Sequence, residues 1–390
     1  MPEPKALKNL DRAIWILLLV FAGSVILSIA VVQTTVLLLA VLWIAKIIAA
    51  DKYSLRRTPF DIAYLSFVSA RILSIPFSID VSESLSAISK EIVFYVIFFI
   101  VTQEFSITER KKTVLAVWIL WAAGIAGALY GIAVAVLGYS DRATSMVSGP
   151  VTLGMYLTVM VSLVLILGRN RDFFPKAWMF WILTAIFVCG IAATLNRIHW
   201  GMGILLFTVV GITRERKLLV FLALGAILAV ALPSISGRIA ASVSSFSEFM
   251  NGRDVIWMGA TDRLFERPLV GFGPRTFQKV FTRMDEMRDR GVGSWHNDYL
   301  QVYMESGFLG LATFLWLFIL TFRRGISAWR KLAPDLFSRD LVLALITAMG
   351  TLAVSGLVGG FVIDPLNSLL YRFLLGLLGL IVAGQSPGKA

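Results

Sequence analysis

Histidine is rare in this chain, and one of its two copies lies in a long polar stretch between apolar runs. This stretch, residues 234–302, is called the polar segment, and it contains His296. Histidine is the side chain whose ordinary pKa lies closest to neutral pH, so it commonly takes up or releases a proton. We therefore interpret His296 as the candidate catalytic residue, a general base.

Arginines form the second group of candidates. Arg197 lies between two apolar runs with almost no loop, and Arg253 opens a predicted helix of the polar segment. A guanidinium close to a bilayer is costly unless it meets an anion, and its forked donors match phosphate. Several cations with one general base suit transfer from an activated phosphate donor, since arginines stabilise a leaving diphosphate while histidine deprotonates an acceptor hydroxyl.

Further charged residues fall in the outer parts of predicted membrane spans, among them Arg71, Glu91 and Arg372. If the fold gathers some of them near Arg197, they would form a basic pocket at the depth of lipid phosphates. The alternative is that Arg71 and Arg372 extend to phospholipid headgroups. In the same way, His296 could be an ordinary hydrogen-bonding residue of a loop.

The sequence offers little for metal or cofactor chemistry. Its single cysteine, Cys189, lies in a predicted span, the two histidines are far apart, and no spaced carboxylates resemble a cation site. Residues 271–274, Gly-Phe-Gly-Pro, lack the third glycine and the strand context of a dinucleotide loop, so they predict a tight turn. We expect no metal and no cofactor.

Hydrophobic residues make up 58% of the chain, and its mean hydropathy is +0.81. Apolar runs near 20 residues are long enough to cross a bilayer core of about 30 Å as helices. The predicted spans are residues 13–32, 36–50, 60–76, 85–103, 113–138, 149–168, 177–195, 199–212, 217–233, 303–322, 341–359 and 368–384. We predict an all-α polytopic membrane protein with about twelve transmembrane helices. It forms one membrane domain, with nine spans in residues 1–233, the helical polar segment, and three spans in residues 303–390.

Every second connection between predicted spans is rich in lysine and arginine, and the connections between these hold almost none, as the positive-inside rule predicts. This pattern places both termini in the cytoplasm and the polar segment outside. We attribute the net charge of +12 mainly to this asymmetry and not to affinity for nucleic acids.

Three helices are predicted in the polar segment. The first runs over residues 253–267 and is stopped by Pro268. Residues 277–287 have apolar side chains at helical spacing. Ser294 is predicted to cap a third helix, which carries His296 and Asn297 into the next span.

Several short motifs occur in one order along the second half of the chain, at residues 194–197, 252–257, 267–273, 296–300 and 305–310. In this order they resemble the signature of the O-antigen ligase and polymerase superfamily. The predicted topology, with one large outer loop, extends the resemblance to the whole chain. Asn196 departs from the pattern, because a small hydroxyl residue is expected at that position.

The resemblance implies a metal-independent glycosyltransferase of the bacterial inner membrane that uses a glycan on undecaprenyl diphosphate. In the ligase branch, the glycan moves to lipid A-core oligosaccharide at the periplasmic face and completes lipopolysaccharide, with inversion at the anomeric carbon. By analogy, His296 would activate the acceptor, and Arg197 and Arg253 would hold the diphosphate. Asn297 would orient the histidine or a sugar hydroxyl. Further candidates for substrate contacts are Arg267, Arg275, Arg71 and Arg372.

Three other functions stay open. A polymerase would use the same donor with a lipid-linked glycan as acceptor, and a protein O-oligosaccharyltransferase would modify serine or threonine. The absence of a soluble domain after the last predicted span favours ligase over the protein-modifying branch. A lipid-linked glycan transporter is the alternative from another class, but the charged positions cluster at one face and no inverted repeat is visible.

Overall fold

A computed structural model describes residues 5–50, 53–106, 109–244, 249–290, 292–333 and 336–385. Helices account for 76% of the structure and there are no strands in these ranges, which confirms the all-α prediction. The helices are α1 (Lys5–Ser24), α2 (Ile29–Ala49), α3 (Asp61–Leu73), α4 (Val81–Glu104), α5 (Arg110–Val136), α6 (Pro150–Leu167), α7 (Ala177–Ala193), α8 (Arg197–Thr213), α9 (Lys217–Ala231), α10 (Pro233–Ser244), α11 (Arg253–Thr261), α12 (Phe277–Val280), α13 (Asp298–Lys331), α14 (Leu336–Ser355) and α15 (Pro365–Ala383). Short 3-10 helices occur at Ile75–Phe77 and Met284–Arg290.

Seven of the helices in the described ranges are long and apolar enough to cross a membrane: α2, α4, α5, α6, α13, α14 and α15. An eighth span results if α9 and α10 are counted as one broken span. The apolar helices α7 and α8 have 17 residues each. The structure is thus a polytopic helical membrane protein, and the number twelve stays a prediction.

The boundary between the first two predicted spans was wrong. The prediction placed one continuous span over residues 13–32, whereas α1 ends at Ser24 and α2 begins at Ile29. The Ser28 hydroxyl accepts a hydrogen bond from the backbone N–H of Val31 and caps α2. Apolar residues continue through this turn, so hydropathy alone could not locate it.

Two helices form the centre of the bundle. In the most apolar 18-residue stretch of each helix, 83% of the residues are buried in α6 and 89% in α15, compared with 22% in α2. A helix that is apolar on all sides is expected at the centre of a helical membrane domain. Helices α5, α7, α8 and α14 pack against α6, and helices α4, α13 and α14 pack against α15.

Helices α9 and α10 meet at an angle of 87°. Leu232, between them, has an extended backbone and Pro233 opens α10. The ring of a proline disfavours helical geometry in the residue before it, which explains the sharp break. The break redirects the chain at the point where the polar segment begins.

Several connections meet the polar segment at one end of the bundle. The N–H of Ile79, before α4, donates to the carbonyl of Phe272 at 3.0 Å. At the same end, the Arg253 Nε donates to the carbonyl of Val358, between α14 and α15, at 2.8 Å. Both connections were predicted to lie outside, so their contact with the polar segment agrees with the predicted alternation.

Helix lengths in the polar segment differ from the sequence prediction. Helix α11 ends at Thr261, six residues before the predicted end, and the apolar run after it is split into α12 and a 3-10 helix. The third predicted helix starts later than expected, because Asn297 and not Ser294 is its N-cap. His296 therefore lies in the loop just before α13.

A kink in α13 receives the polar segment. Gly307 interrupts the helix with a φ of +62°, and the freed N–H of Phe308 donates to the carbonyl of Pro268 at 2.7 Å. A Cβ on Gly271, whose φ is +70°, would lie 2.5 Å from the backbone of Glu305. Glycine is required at both positions because two backbones approach closely there in left-handed conformations. These motif glycines thus dock residues 268–273 onto α13.

Candidate active site

His296 lies at the end of the bundle where the connections meet. Its backbone is left-handed, with a φ of +48°, and its side chain is partly buried. Burial and the positive charge of Arg253 lower the pKa of His296 to about 4. At neutral pH the imidazole is consequently uncharged and able to accept a proton.

The residues on either side of His296 hold its backbone. Trp295 is buried, its N–H donates to the Gln301 side chain at 2.9 Å, and its carbonyl accepts from the Trp257 indole at 3.1 Å. On the other side, the Asn297 side chain accepts from the N–H groups of Tyr299 and Leu300, each at 3.0 Å. Asn297 thus has a clear structural role as a helix cap, which fixes where the loop ends.

Arg253 opens α11 and points toward the connection between α14 and α15. Its Nε donates to the carbonyl of Val358 at 2.8 Å and its Nη1 to that of Met250 at 3.3 Å. Burial and the charge of Arg197 lower the pKa of Arg253. Arg253 therefore lies within electrostatic reach of both Arg197 and His296.

Arg197 is the first residue of α8. The Asn196 side chain caps this helix by accepting from the N–H of Ile198 at 3.2 Å. Asparagine therefore caps the helix at the position where the resemblance leads one to expect a small hydroxyl residue. The Arg197 guanidinium lies 6.0 Å from the ring of Phe249. The helix N-terminus adds positive partial charge at this position, which favours an anion.

Arg142, between α5 and α6, joins the same cluster, although the sequence analysis did not select it. Its Nε donates to the carbonyl of Thr194 at 2.8 Å, within the turn that precedes Arg197. Burial and the charges of Arg238, Arg197 and Arg253 lower the pKa of Arg142. We call Arg142, Arg197, Arg238 and Arg253 the basic cluster.

An apolar groove adjoins the basic cluster. It has a volume of about 550 Å³ and is lined by residues of α7, α8, α9 and α10. The lining includes His199, two residues after Arg197, and Ile235 and Ile239 on either side of Arg238. The groove thus offers an apolar surface on the helices that carry Arg197 and Arg238.

His199 is buried and packs against α6. A Cβ on Gly154 would lie 2.5 Å from its Cδ2, so the ring occupies the space that the glycine leaves. This contact gives His199 a packing role between α8 and α6.

Strained backbone coincides with the candidate residues. In the described part of the chain, the non-glycine residues with positive φ are Leu195, Asn251, Arg275 and His296. Two of them are candidates themselves, and the other two precede Arg197 and Arg253 by two positions. Left-handed conformations in such residues cost free energy and persist where surrounding contacts impose them, often at functional sites.

Arg71 and Arg372 are placed differently from the basic cluster. Arg71 is completely buried and forms ion pairs with Glu305 at 2.9 Å and Glu91 at 3.1 Å. Arg372 is also buried, bonds to Tyr64 and Ser368, and lies 4.3 Å from the ring of Tyr95. Because both guanidinium groups are buried and bound by protein side chains, we leave both arginines out of the proposed donor site.

The other two arginine candidates contact protein groups as well. Arg275 donates from its Nη2 to the carbonyl of Ile363 at 2.7 Å and from its Nε to Glu91 at 3.3 Å. Arg267 is exposed, donates to the carbonyl of Phe77, and lies 5.8 Å from the ring of Phe272. These contacts connect the polar segment to the bundle, so both arginines have structural roles.

No group of three or more His, Cys, Asp or Glu side chains lies together as potential metal ligands within the described ranges. The basic cluster supplies guanidinium groups, and His296 beside Arg253 supplies an uncharged imidazole.

The fold and this site define a class, that of polytopic helical membrane proteins with an arginine-rich site at one end of the bundle. The family model of O-antigen ligase matches residues 182–315, about a third of the chain. The matched region contains Arg197, Arg253 and His296, and it supports the O-antigen ligase and polymerase superfamily without distinguishing the two branches. A comparison with curated proteins gives no significant match.

Proposed function

We propose that this protein is an inverting glycosyltransferase that moves a glycan from undecaprenyl diphosphate to lipid A-core oligosaccharide. The observation that carries the proposal is that the fold brings Arg142, Arg197 and Arg253 close enough for their charges to interact, with His296 beside Arg253. The family match and the membrane-spanning helices support a glycan-processing enzyme of a bacterial membrane.

His296 acts as the general base. Its uncharged imidazole accepts the proton of an acceptor hydroxyl as that oxygen attacks the anomeric carbon of the donor glycan. The bond from this carbon to the diphosphate oxygen breaks, and the electron pair leaves with undecaprenyl diphosphate. A single displacement of this kind inverts the configuration at the anomeric carbon.

The basic cluster holds the diphosphate and stabilises its charge as it leaves. Guanidinium groups bind phosphate oxygens through two parallel hydrogen bonds, which gives both affinity and orientation. Charge stabilisation is strong in a partly buried site, because little water competes. Arg197 and Arg253 are the main contacts, and Arg142 and Arg238 add to the positive potential.

The groove beside the basic cluster holds the first isoprene units of the carrier. The carrier has an apolar chain attached directly to its diphosphate, so its binding site needs an apolar surface next to cations. The groove lined by α7 to α10 meets this requirement, since Arg197 and Arg238 flank its lining residues.

The outer, periplasmic location of this site is part of the proposal, as are the cytoplasmic termini. A polymerase that uses a second lipid-linked glycan as acceptor is the alternative within the superfamily. A transporter would also bind the donor, but the combination of a neutral imidazole with a guanidinium beside it favours group transfer.

The test is glycan transfer in detergent with purified protein, lipid-linked donor and two separate acceptors. Because detergent removes the two compartments, product formation excludes pure transport. A ligase elongates lipid A-core, and a polymerase joins two lipid-linked glycans. We expect product with lipid A-core in the parent protein and loss of product in His296→Ala.

A matched control comes from the same segment. Arg253→Gln removes a charge of the basic cluster, and Arg283→Gln removes a partly exposed arginine that pairs with Asp262 at 3.0 Å. We expect the first change to reduce transfer strongly and the second to have little effect, as exposed ion pairs contribute little. Equal activity of His296→Ala and the parent would refute the proposed base.

A further inference from the structure

Glu305 is a buried carboxylate at the centre of a hydrogen-bond network. It is 1% exposed and lies two residues before the kink of α13. Its Oε2 accepts from Arg71 at 2.9 Å, and its Oε1 accepts from the backbone N–H of Arg275 at 2.8 Å and from the Gln301 side chain at 2.7 Å. One side chain thus contacts the membrane bundle, the polar segment and the first turn of α13.

Gln301 extends the network to the residue before His296. Its Nε2 donates to Glu305, and its Oε1 accepts from the N–H of Trp295 at 2.9 Å. Gln301 is 2% exposed and Trp295 is 1% exposed, so water does not replace these bonds easily. The peptide group that leads into His296 is therefore connected to Glu305 through one amide.

The two left-handed residues at this site are each fixed by one branch of the network. Arg275, with a φ of +63°, has its own N–H bonded to Glu305. His296, with a φ of +48°, follows the Trp295 N–H that Gln301 binds. Strained backbone needs surrounding contacts that enforce it. Glu305 contributes such contacts directly at Arg275 and, through Gln301, at the residue before His296.

The charge of Glu305 also determines which way the Gln301 amide points. A carboxylate only accepts hydrogen bonds, so Gln301 must present its NH₂ group to Glu305 and its oxygen to Trp295. An amide at position 305 could present either end, which would allow Gln301 to flip. Arg71, held in turn by Glu91 on α4, supplies the opposite charge and anchors the network to the helices.

We propose that Glu305 is a positioning residue that sets the backbone at His296 through Gln301 and at Arg275 directly. The part that concerns activity rests on the proposed function of His296. The network joins the loop that carries His296 to the membrane helices, and such supporting contacts determine how accurately a catalytic group is held.

Two variants and a matched control test this proposal. Gln301→Leu removes the link to Trp295 and leaves both ion pairs of Arg71 in place. Glu305→Gln keeps the side-chain volume and removes the charge. The control is Gln278→Leu, because Gln278 also belongs to the polar segment and donates to a backbone carbonyl, that of Val292 at 2.8 Å.

The two histidines of the chain allow a readout that does not depend on activity. With ¹³C-labelled histidine in nanodiscs, the protein gives two ring signals, which His199→Gln assigns. We expect Gln301→Leu and Glu305→Gln to shift or broaden the His296 signal and to leave the His199 signal unchanged. We expect Gln278→Leu to change neither signal.

Kinetics supply the second readout. We expect both network variants to lower kcat about 100-fold, as misplacement of a catalytic group by about 1 Å does. The KM of the lipid-linked donor should remain near the parental value, because Arg197 and Arg253 are held by other contacts. A structural role without positioning would lower the amount of folded protein and leave kcat per folded molecule unchanged.

Three results would overturn the proposal. The first is an unchanged His296 signal in Gln301→Leu, whatever the activity. The second is a joint shift of both histidine signals with a lower melting temperature, which indicates general loosening. The third is a parental kcat despite a shifted His296 signal. If the parent protein itself shows no transfer, a shift of the His296 signal alone in the two variants would still support the positioning role of Glu305 and would reject the proposed function.

Discussion

The low pKa of His296 makes a quantitative prediction for the pH dependence of transfer. A base with a pKa of 6.5 would be about 3% uncharged at pH 5, whereas a pKa of about 4 leaves about 90% uncharged. The active form is the uncharged imidazole, so activity falls only as the pH drops through the lower value. Between pH 7 and pH 5 we therefore expect kcat/KM to change less than twofold, against roughly a 25-fold decrease for an ordinary histidine.

The assay measures initial rates of transfer in detergent from pH 4 to pH 8, at donor concentrations below and above KM. The pH dependence of kcat/KM reports the pKa of the base in the free enzyme, and the pH dependence of kcat reports its pKa in the complex with the donor. A bound diphosphate adds negative charge near His296, so we expect the acidic limb of kcat to lie at higher pH than that of kcat/KM. Melting temperatures at each pH identify loss of folded protein. An acidic limb of kcat/KM near 6.5 in folded protein would refute the account of His296.

Three further predictions concern the cluster, the groove and the kink. Arg142→Gln should raise the donor KM about tenfold, since it removes a charge and the hydrogen bonds of a charged donor, and rate measurements at varied donor concentration check this. Gly203→Phe should fill the groove and raise KM for a long-chain donor but not for a short-chain analogue, whereas Gly201→Phe, outside the lining, should affect neither. Gly271→Ala should lower the melting temperature, because the left-handed backbone alone costs about 1–2 kcal/mol with a Cβ. Gly293→Ala should melt like the parent, because a Cβ there would lie 4.0 Å from its nearest neighbour, the Gln278 side chain.

Hydropathy and charge described the fold well, because the bilayer restricts the backbone to long apolar helices. The same signals could not place every boundary. Ser294 and Asn297 are both good capping residues, and the sequence alone does not choose between them. The left-handed backbone at His296 makes the choice. It follows Trp295, whose N–H binds Gln301 and whose carbonyl accepts from Trp257, a residue 38 positions away in the sequence.

The site was only partly visible in the sequence. Arg197, Arg253 and His296 could be selected because arginine and histidine are informative at membrane boundaries. Arg142 could also have been selected from the sequence, because a basic residue in a short connection that is predicted to lie outside is an exception to the positive-inside rule. The ion pair of Arg71 could not be predicted, because its partner Glu305 lies 234 positions away in the sequence.

The most direct test of the central claim is an electron cryo-microscopy structure with a bound, non-transferable undecaprenyl diphosphate glycan. We expect the diphosphate oxygens to lie about 3 Å from the guanidinium groups of Arg197 and Arg253. We also expect the anomeric carbon to face His296, with the carrier chain in the groove between α7 and α10. A diphosphate bound away from both arginines, or an anomeric carbon on the far side of the cluster from His296, would contradict the account.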